Sequence, residues 1–112
     1  MDQPVVDKEA MRDAAEAACA LMKVLSNPDR LLLLCELCEG ERNVGELQEA
    51  VGIAQPTLSQ QLAVLREEEL VETRRDGKNI YYSIASGQVL AVLQVLHAQF
   101  CAPTGRKGRA RK

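Results

Sequence analysis

A mainly helical fold with one small β-hairpin is predicted for this chain by three observations. Most of its 112 residues repeat apolar side chains at helical spacing. Proline and glycine stand chiefly where such stretches begin or end. One segment alone, LVETRRDGKNIYYSIA, is β-prone on both sides of an Asp-Gly turn signal. The length suits one domain over residues 1–101. The tail 102–112, rich in glycine and like charge, reads as disordered.

Composition narrows the class. Tyr81, Tyr82 and Phe100 are the only aromatic residues, so the core has to be built from Leu, Val, Ile and Ala, which suits packed helices. No run approaches the roughly 18 apolar residues of a membrane span. The N-terminal MDQPVVDKEA is acidic and lacks the basic-then-apolar order of a secretory signal. A cytoplasmic protein without membrane contact is expected. Four cysteines are too few for a disulfide scaffold, and cytosolic thiols are kept reduced; each is core packing, a metal ligand or a redox group. The net charge of −2 conceals an asymmetry. Arg106, Lys107, Arg109, Arg111 and Lys112 crowd the tail, leaving nine basic against 16 acidic residues in the body. An acidic body is not the usual footprint of a nucleic-acid binder, so local placement of charge has to decide.

Residues 7–24 (DKEAMRDAAEAACALMKV) are free of Gly and Pro and rich in Ala, Leu and Met, which predicts a helix. Ser26-Asn27-Pro28 supplies a cap and a proline at the first position of a second helix, ending at Gly40. On it Leu31, Leu34, Cys35 and Cys38 share one face. Asn43 and Glu46 have capping-box spacing ahead of a short helix closed by Gly52. Another helix starts near Gln55-Pro56 and runs through TLSQQLAVLREEE, with Leu58, Leu62 and Leu65 on one side and Thr57, Ser59, Gln60 and Gln61 toward the other. The two make a helix-turn-helix. The hairpin follows as a wing, with Arg74, Arg75 and Lys78 at or near its tip. Ser86 caps a last helix whose apolar stripe is Val89, Val92, Leu93, Leu96 and Phe100. The predicted order is helix, helix, short strand, helix, helix, strand, strand, helix: a winged helix-turn-helix.

The polar residues of the fourth helix are unusual for a solvated face, which ordinarily carries Glu and Lys. Ser, Thr and Gln are suited to base edges and phosphates, and a basic wing tip is suited to phosphate contact. Together they point to double-stranded DNA as the partner. The last helix and the Ala-rich first helix either form a dimer seam or pack on their own chain's core; the pattern leaves both open.

This arrangement over about residues 20–101, and TLSQQLAVLREEELVETRRDGKNIYY in particular, resembles the ArsR/SmtB family of bacterial repressors. The resemblance implies a homodimer, joined through the terminal helices, that binds a pseudo-palindromic operator and releases it when an inducer binds. Carried over by position, Gln55, Thr57, Ser59, Gln60 and Gln61 would face the major groove, and Arg74, Arg75, Lys78 and Asn79 the flanking backbone or minor groove. Gln61 departs from the His common there, which leaves the operator sequence open.

Members of the family differ in where their sensing ligands sit. The Cys-x-Cys of arsenic- and cadmium-type sensors is absent from Asn43-Val44-Gly45-Glu46-Leu47, and the zinc pattern on the last helix fails because His97 is the only histidine. Cys35 in the second helix and Cys101 at the end of the last look like the thiol pair of the persulfide-sensing subgroup (SqrR-, BigR- and HlyU-like). There, the resemblance implies, persulfide or a related reactive sulfur species bridges the two thiols by a di- or polysulfide and ends DNA binding. His97, one turn before Cys101, is a candidate for tuning its thiolate. The alternative is a thiolate sensor of arsenite or a soft metal, using Cys35 and Cys38 with Cys101 or Cys19. An enzyme is not expected: there is no phosphate-cradling Gly loop and no Ser-His-Asp set, and Cys35-Glu36-Leu37-Cys38 lies within a helix rather than at the start of one. No cofactor is expected either.

Overall fold

A computed structural model describes residues 7–101. Five helices and three short strands run in the predicted order: α1 (Lys8–Leu25), α2 (Pro28–Leu37), β1 (Arg42–Asn43), α3 (Val44–Val51), α4 (Thr57–Glu67), β2 (Val71–Asp76), β3 (Asn79–Ile84) and α5 (Gly87–Phe100). The strands form one antiparallel sheet in the order β1-β3-β2. The basic tail lies outside the described residues.

Local chemistry sets the boundaries. The Asn27 side chain accepts the Arg30 N–H at 3.1 Å, and Pro28 takes the first helical position, where a missing N–H costs nothing. Asn43 and Glu46 form the reciprocal capping box, at 2.8 and 2.9 Å. Gly52 closes α3 in the left-handed region, at φ 71°. Ser86 Oγ accepts the Val89 N–H at 3.1 Å and so starts α5. Two boundaries differ from expectation. The second helix ends at Leu37, not Gly40, so Cys38 is its C-cap, exposed but still in helical conformation with its N–H on the Leu34 carbonyl. The hairpin turns one residue later than expected: Asp76 pairs with Asn79, leaving Gly77 and Lys78 as the two-residue loop. Gly77, at φ 64°, occupies the position that needs positive φ.

The end of α4 breaks a common rule. Glu69 adopts φ 65°, where glycine is usual, while the Leu70 N–H reaches the Leu65 carbonyl at 2.9 Å and the Glu69 N–H that of Arg66 at 3.0 Å. This is a Schellman cap closed by the buried contact of Leu65 with Leu70.

The core is aliphatic, as the scarcity of aromatics required. Leu33, Leu34, Leu47, Leu58, Leu62, Leu65, Val89 and Leu93 are fully buried, and no charged or polar residue is buried among the described residues. Tyr82 packs against this core from β3, while Tyr81 faces outward. α1 joins the core only through its last turns, by Leu21, Val24 and Leu25; residues 8–20 are exposed. Along this helix runs an open groove of about 1140 Å³, whose floor includes Cys19, Val24, Arg30 and Val64. α5 buries Val89 and Leu93, yet Val95 and Phe100 stand 59 % and 81 % exposed.

Candidate nucleic-acid interface and thiol site

α3 and α4 are joined by residues 52–56, and α4 presents two faces. Leu58, Leu62 and Leu65 are buried beneath it. Gln55, Ser59 and Gln60 are exposed, and Thr57 is half-buried. Ser59 donates its hydroxyl to the Gln55 side chain, tying together the two polar residues at the helix entry. Gln61 is engaged elsewhere: it is half-buried, and its Oε1 accepts a hydrogen bond from Arg30 Nη1 at 3.0 Å. The expected polar row is thus three exposed residues, the half-buried Thr57 and one that faces α2.

The wing divides in a similar way. Arg75, Lys78 and Asn79 are exposed at its tip. Arg74 lies against the outer face of the sheet, with its guanidinium carbon 4.9 Å from the centre of the Tyr81 ring. Its Nε and Nη2 donate to the two carboxylate oxygens of Glu41 at 2.9 and 2.8 Å, a two-pronged pair. The Arg74 hydrogen bond and charge hold the Glu41 carboxyl below its ordinary range, and Glu41 in turn raises Arg74. Nothing in the local pattern signals this pair, whose members are 33 positions apart. The neighbouring Arg42–Glu36 ion pair, at 3.3 Å, pins β1 to the last turn of α2.

All four cysteines are free thiols. Cys35 is half-buried on α2 beside the core. Burial, and then the charge of Cys101, push its thiol up. Cys101, exposed at the C-cap of α5, thus adds to the rise at a residue 66 positions away in sequence. Cys38 is also raised, by burial, by Cys35 and by Glu39. His97 is exposed, and its carbonyl accepts the Cys101 N–H at 2.9 Å. Cys19 lies on α1 along the groove. Among the described residues no three His, Cys, Asp or Glu side chains converge as a metal site would require, and no helix is long and apolar enough to cross a membrane.

A helix-turn-helix whose second helix exposes uncharged hydrogen-bonding groups beside a basic wing defines a DNA-binding winged-helix protein. Residues 27–73 match the model of the bacterial regulatory protein, arsR family. The chain is 47 % identical over 100 residues to the biofilm growth-associated repressor of Xylella fastidiosa, covering 89 % of this chain and 88 % of that one. The crystal structure of the transcriptional repressor BigR from Xylella fastidiosa superposes with a TM-score of 0.80 at 47 % identity, over 87 % of this chain and 99 % of that one. Reduced HlyU from Vibrio cholerae superposes at 0.78 and 37 % identity, over 81 % and 96 %. The chain belongs to the ArsR family and is a DNA-binding transcription regulator.

Proposed function

We propose that this regulator is a cytoplasmic homodimeric repressor that holds a pseudo-palindromic operator while its thiols are reduced and releases it when Cys35 and Cys101 are bridged by reactive sulfur. Gln55, Thr57, Ser59 and Gln60 face the major groove, and Arg75, Lys78 and Asn79 the flanking backbone. The exposed apolar groups of α1 and α5 form the dimer seam; Met11, Met22, Val95 and Phe100 are the large ones left uncovered.

What supports the sensing half is placement: exposed Cys101 ends α5 near half-buried Cys35 of α2, whose thiol is raised by burial and then by Cys101. The chemistry follows from accessibility. Exposed Cys101 meets the reagent first. Its thiolate attacks the sulfane sulfur of a glutathione persulfide, giving Cys101–S–SH and releasing glutathione thiolate. The Cys35 thiolate then attacks the inner sulfur of that persulfide, forming the Cys35–Cys101 disulfide and expelling hydrosulfide. Where Cys35 is itself persulfidated first, its terminal sulfur attacks instead and the bridge is a trisulfide, again with loss of hydrosulfide. Each added sulfur lengthens the bridge and relaxes the roughly 7 Å Cα separation that a direct disulfide demands. Because α2 carries Cys35 and also packs on α4, a bridge that draws α5 toward α2 shifts the recognition helix.

The test is fluorescence anisotropy of the reduced protein on duplex DNA from upstream of its own gene, titrated with glutathione persulfide and in parallel with arsenite and zinc. Release by persulfide alone, reversed by a thiol reductant and lost in both Cys35→Ser and Cys101→Ser, is the expected outcome. Full response from either variant would overturn the pair, and release by arsenite instead would favour the soft-metal thiolates.

A further inference from the structure

Arg30 sits in the first turn of α2, ahead of a run of four leucines, and its guanidinium joins three elements. Nε donates to the Val24 carbonyl at 2.7 Å, and Nη1 donates to Gln61 Oε1 at 3.0 Å. The Val24 carbonyl belongs to the last turn of α1, where carbonyls have no partner within the helix and carry the negative end of its dipole. Gln61 lies midway along α4, the recognition helix. One rigid fork therefore ties the end of α1 and the start of α2 to the element that reads DNA. The chemistry also settles which way the amide points. A guanidinium has donors only, so Gln61 must turn its oxygen toward Arg30. That oxygen is then unavailable for the paired acceptor-and-donor contact by which glutamine reads adenine.

We infer that Arg30 is a positioning residue for DNA recognition and that Gln61 serves as its anchor on α4 rather than as a base reader. The inference rests on the DNA-reading role proposed above for α4. Both bonds are half-buried and one partner is charged, conditions under which such a bond contributes more than an exposed one. Their joint effect is to set the pitch at which α4 leaves the α1–α2 corner, and so the angle at which Gln55, Thr57, Ser59 and Gln60 meet a groove.

The experiment selects preferred duplexes from a randomised DNA library with the reduced wild-type chain, then compares Arg30→Met, Gln61→Met and the double variant on the winning duplex. Methionine keeps the length and helix preference of both side chains while removing the bond. Gln61→Met is expected to bind about tenfold more weakly, from the loss of the charge-assisted bond to Arg30, and Arg30→Met at least as much, because it also loses the bond to the Val24 carbonyl. The double variant should be no weaker than Arg30→Met, which already lacks the Gln61 bond. The preferred sequence and the salt dependence of binding should be unchanged, and thermal melts should show every variant folded at the assay temperature. A changed base preference in Gln61→Met would overturn the inference by making Gln61 a reader. So would a salt slope reduced by about one in Arg30→Met, which would mark a phosphate contact, or losses that add in the double variant. Should Arg30→Met fail to fold, Gln61→Met, which leaves the Val24 bond intact, carries the test alone: wild-type affinity in it overturns the latch. Selection of no duplex by the wild-type chain would instead remove the DNA-reading role itself, and the positioning role with it.

Discussion

The half of the molecule built from α2, α3, α4 and the sheet contrasts with the pair of terminal helices. The first is largely closed: Leu33, Leu34, Leu47, Leu58, Leu62 and Leu65 are buried while Leu32 stands 50 % exposed, its short helices are capped by Asn27, Asn43 and Gly52, and its loops are tied by Glu41–Arg74 and Glu36–Arg42. The second is not. α1 leaves most of its length in solvent, and α5 leaves Val95 and Phe100 uncovered. The DNA-reading half therefore owes most of its stability to a core that α1 and α5 join only through a few residues, whereas the terminal helices carry apolar surface that this chain leaves uncovered. The proposed switch fits this division, since Cys101 sits on one of the terminal helices and Cys35 on the other half.

Truncating one apolar side chain in each region should separate them most sharply. Leu62→Ala, at a site only 2 % exposed, is expected to lose about 2–5 kcal/mol in urea unfolding. Phe100→Ala removes a larger side chain, yet should leave the fold of the single chain intact and weaken self-association, read by sedimentation velocity. A large loss of monomer stability from Phe100→Ala, or a mild one from Leu62→Ala, would break the contrast.

Smaller effects sharpen it within the reading half. Asn43→Ala removes one arm of the capping box and should lower stability by about 1 kcal/mol, measured by the same unfolding curve. Glu69→Gly should raise it by roughly 0.5 kcal/mol, since a left-handed non-glycine residue costs more than the added freedom of glycine in the unfolded chain.

Glu41→Gln frees Arg74 from its carboxylate and should strengthen DNA binding by roughly a few-fold at low salt, with the gain fading as salt rises. The pH dependence has a definite sign. The carboxyl is held down in the folded chain, so the pair is intact above the ordinary carboxylate range and is lost as pH falls through the lowered value. The thiols run the other way. Burial raises Cys35, so its alkylation rate by iodoacetamide should still be climbing at a pH where an ordinary thiol has levelled off. An early plateau at Cys35 would contradict that.

Much of this protein was determined by local sequence. Helix starts at Asn27, Asn43 and Ser86 and the stop at Gly52 follow from side chains within a few residues of the backbone groups they satisfy, and the winged helix-turn-helix order follows from them. The exposed polar row on α4 was legible because the 3.6-residue period separates it from Leu58, Leu62 and Leu65, and the basic wing tip because it flanks the Asp-Gly turn signal. Only the tertiary structure decided which of these residues are free. Gln61 and Arg74 carry the same chemistry as their neighbours, yet Arg30 and Glu41 engage them from 31 and 33 positions away. The uncharged-polar pattern records that a residue can donate or accept, not which partner the folded backbone brings to it. The same holds for the thiols: Cys35 in a run of leucines reads as core, and only the return of α5 puts Cys101 within range of its charge.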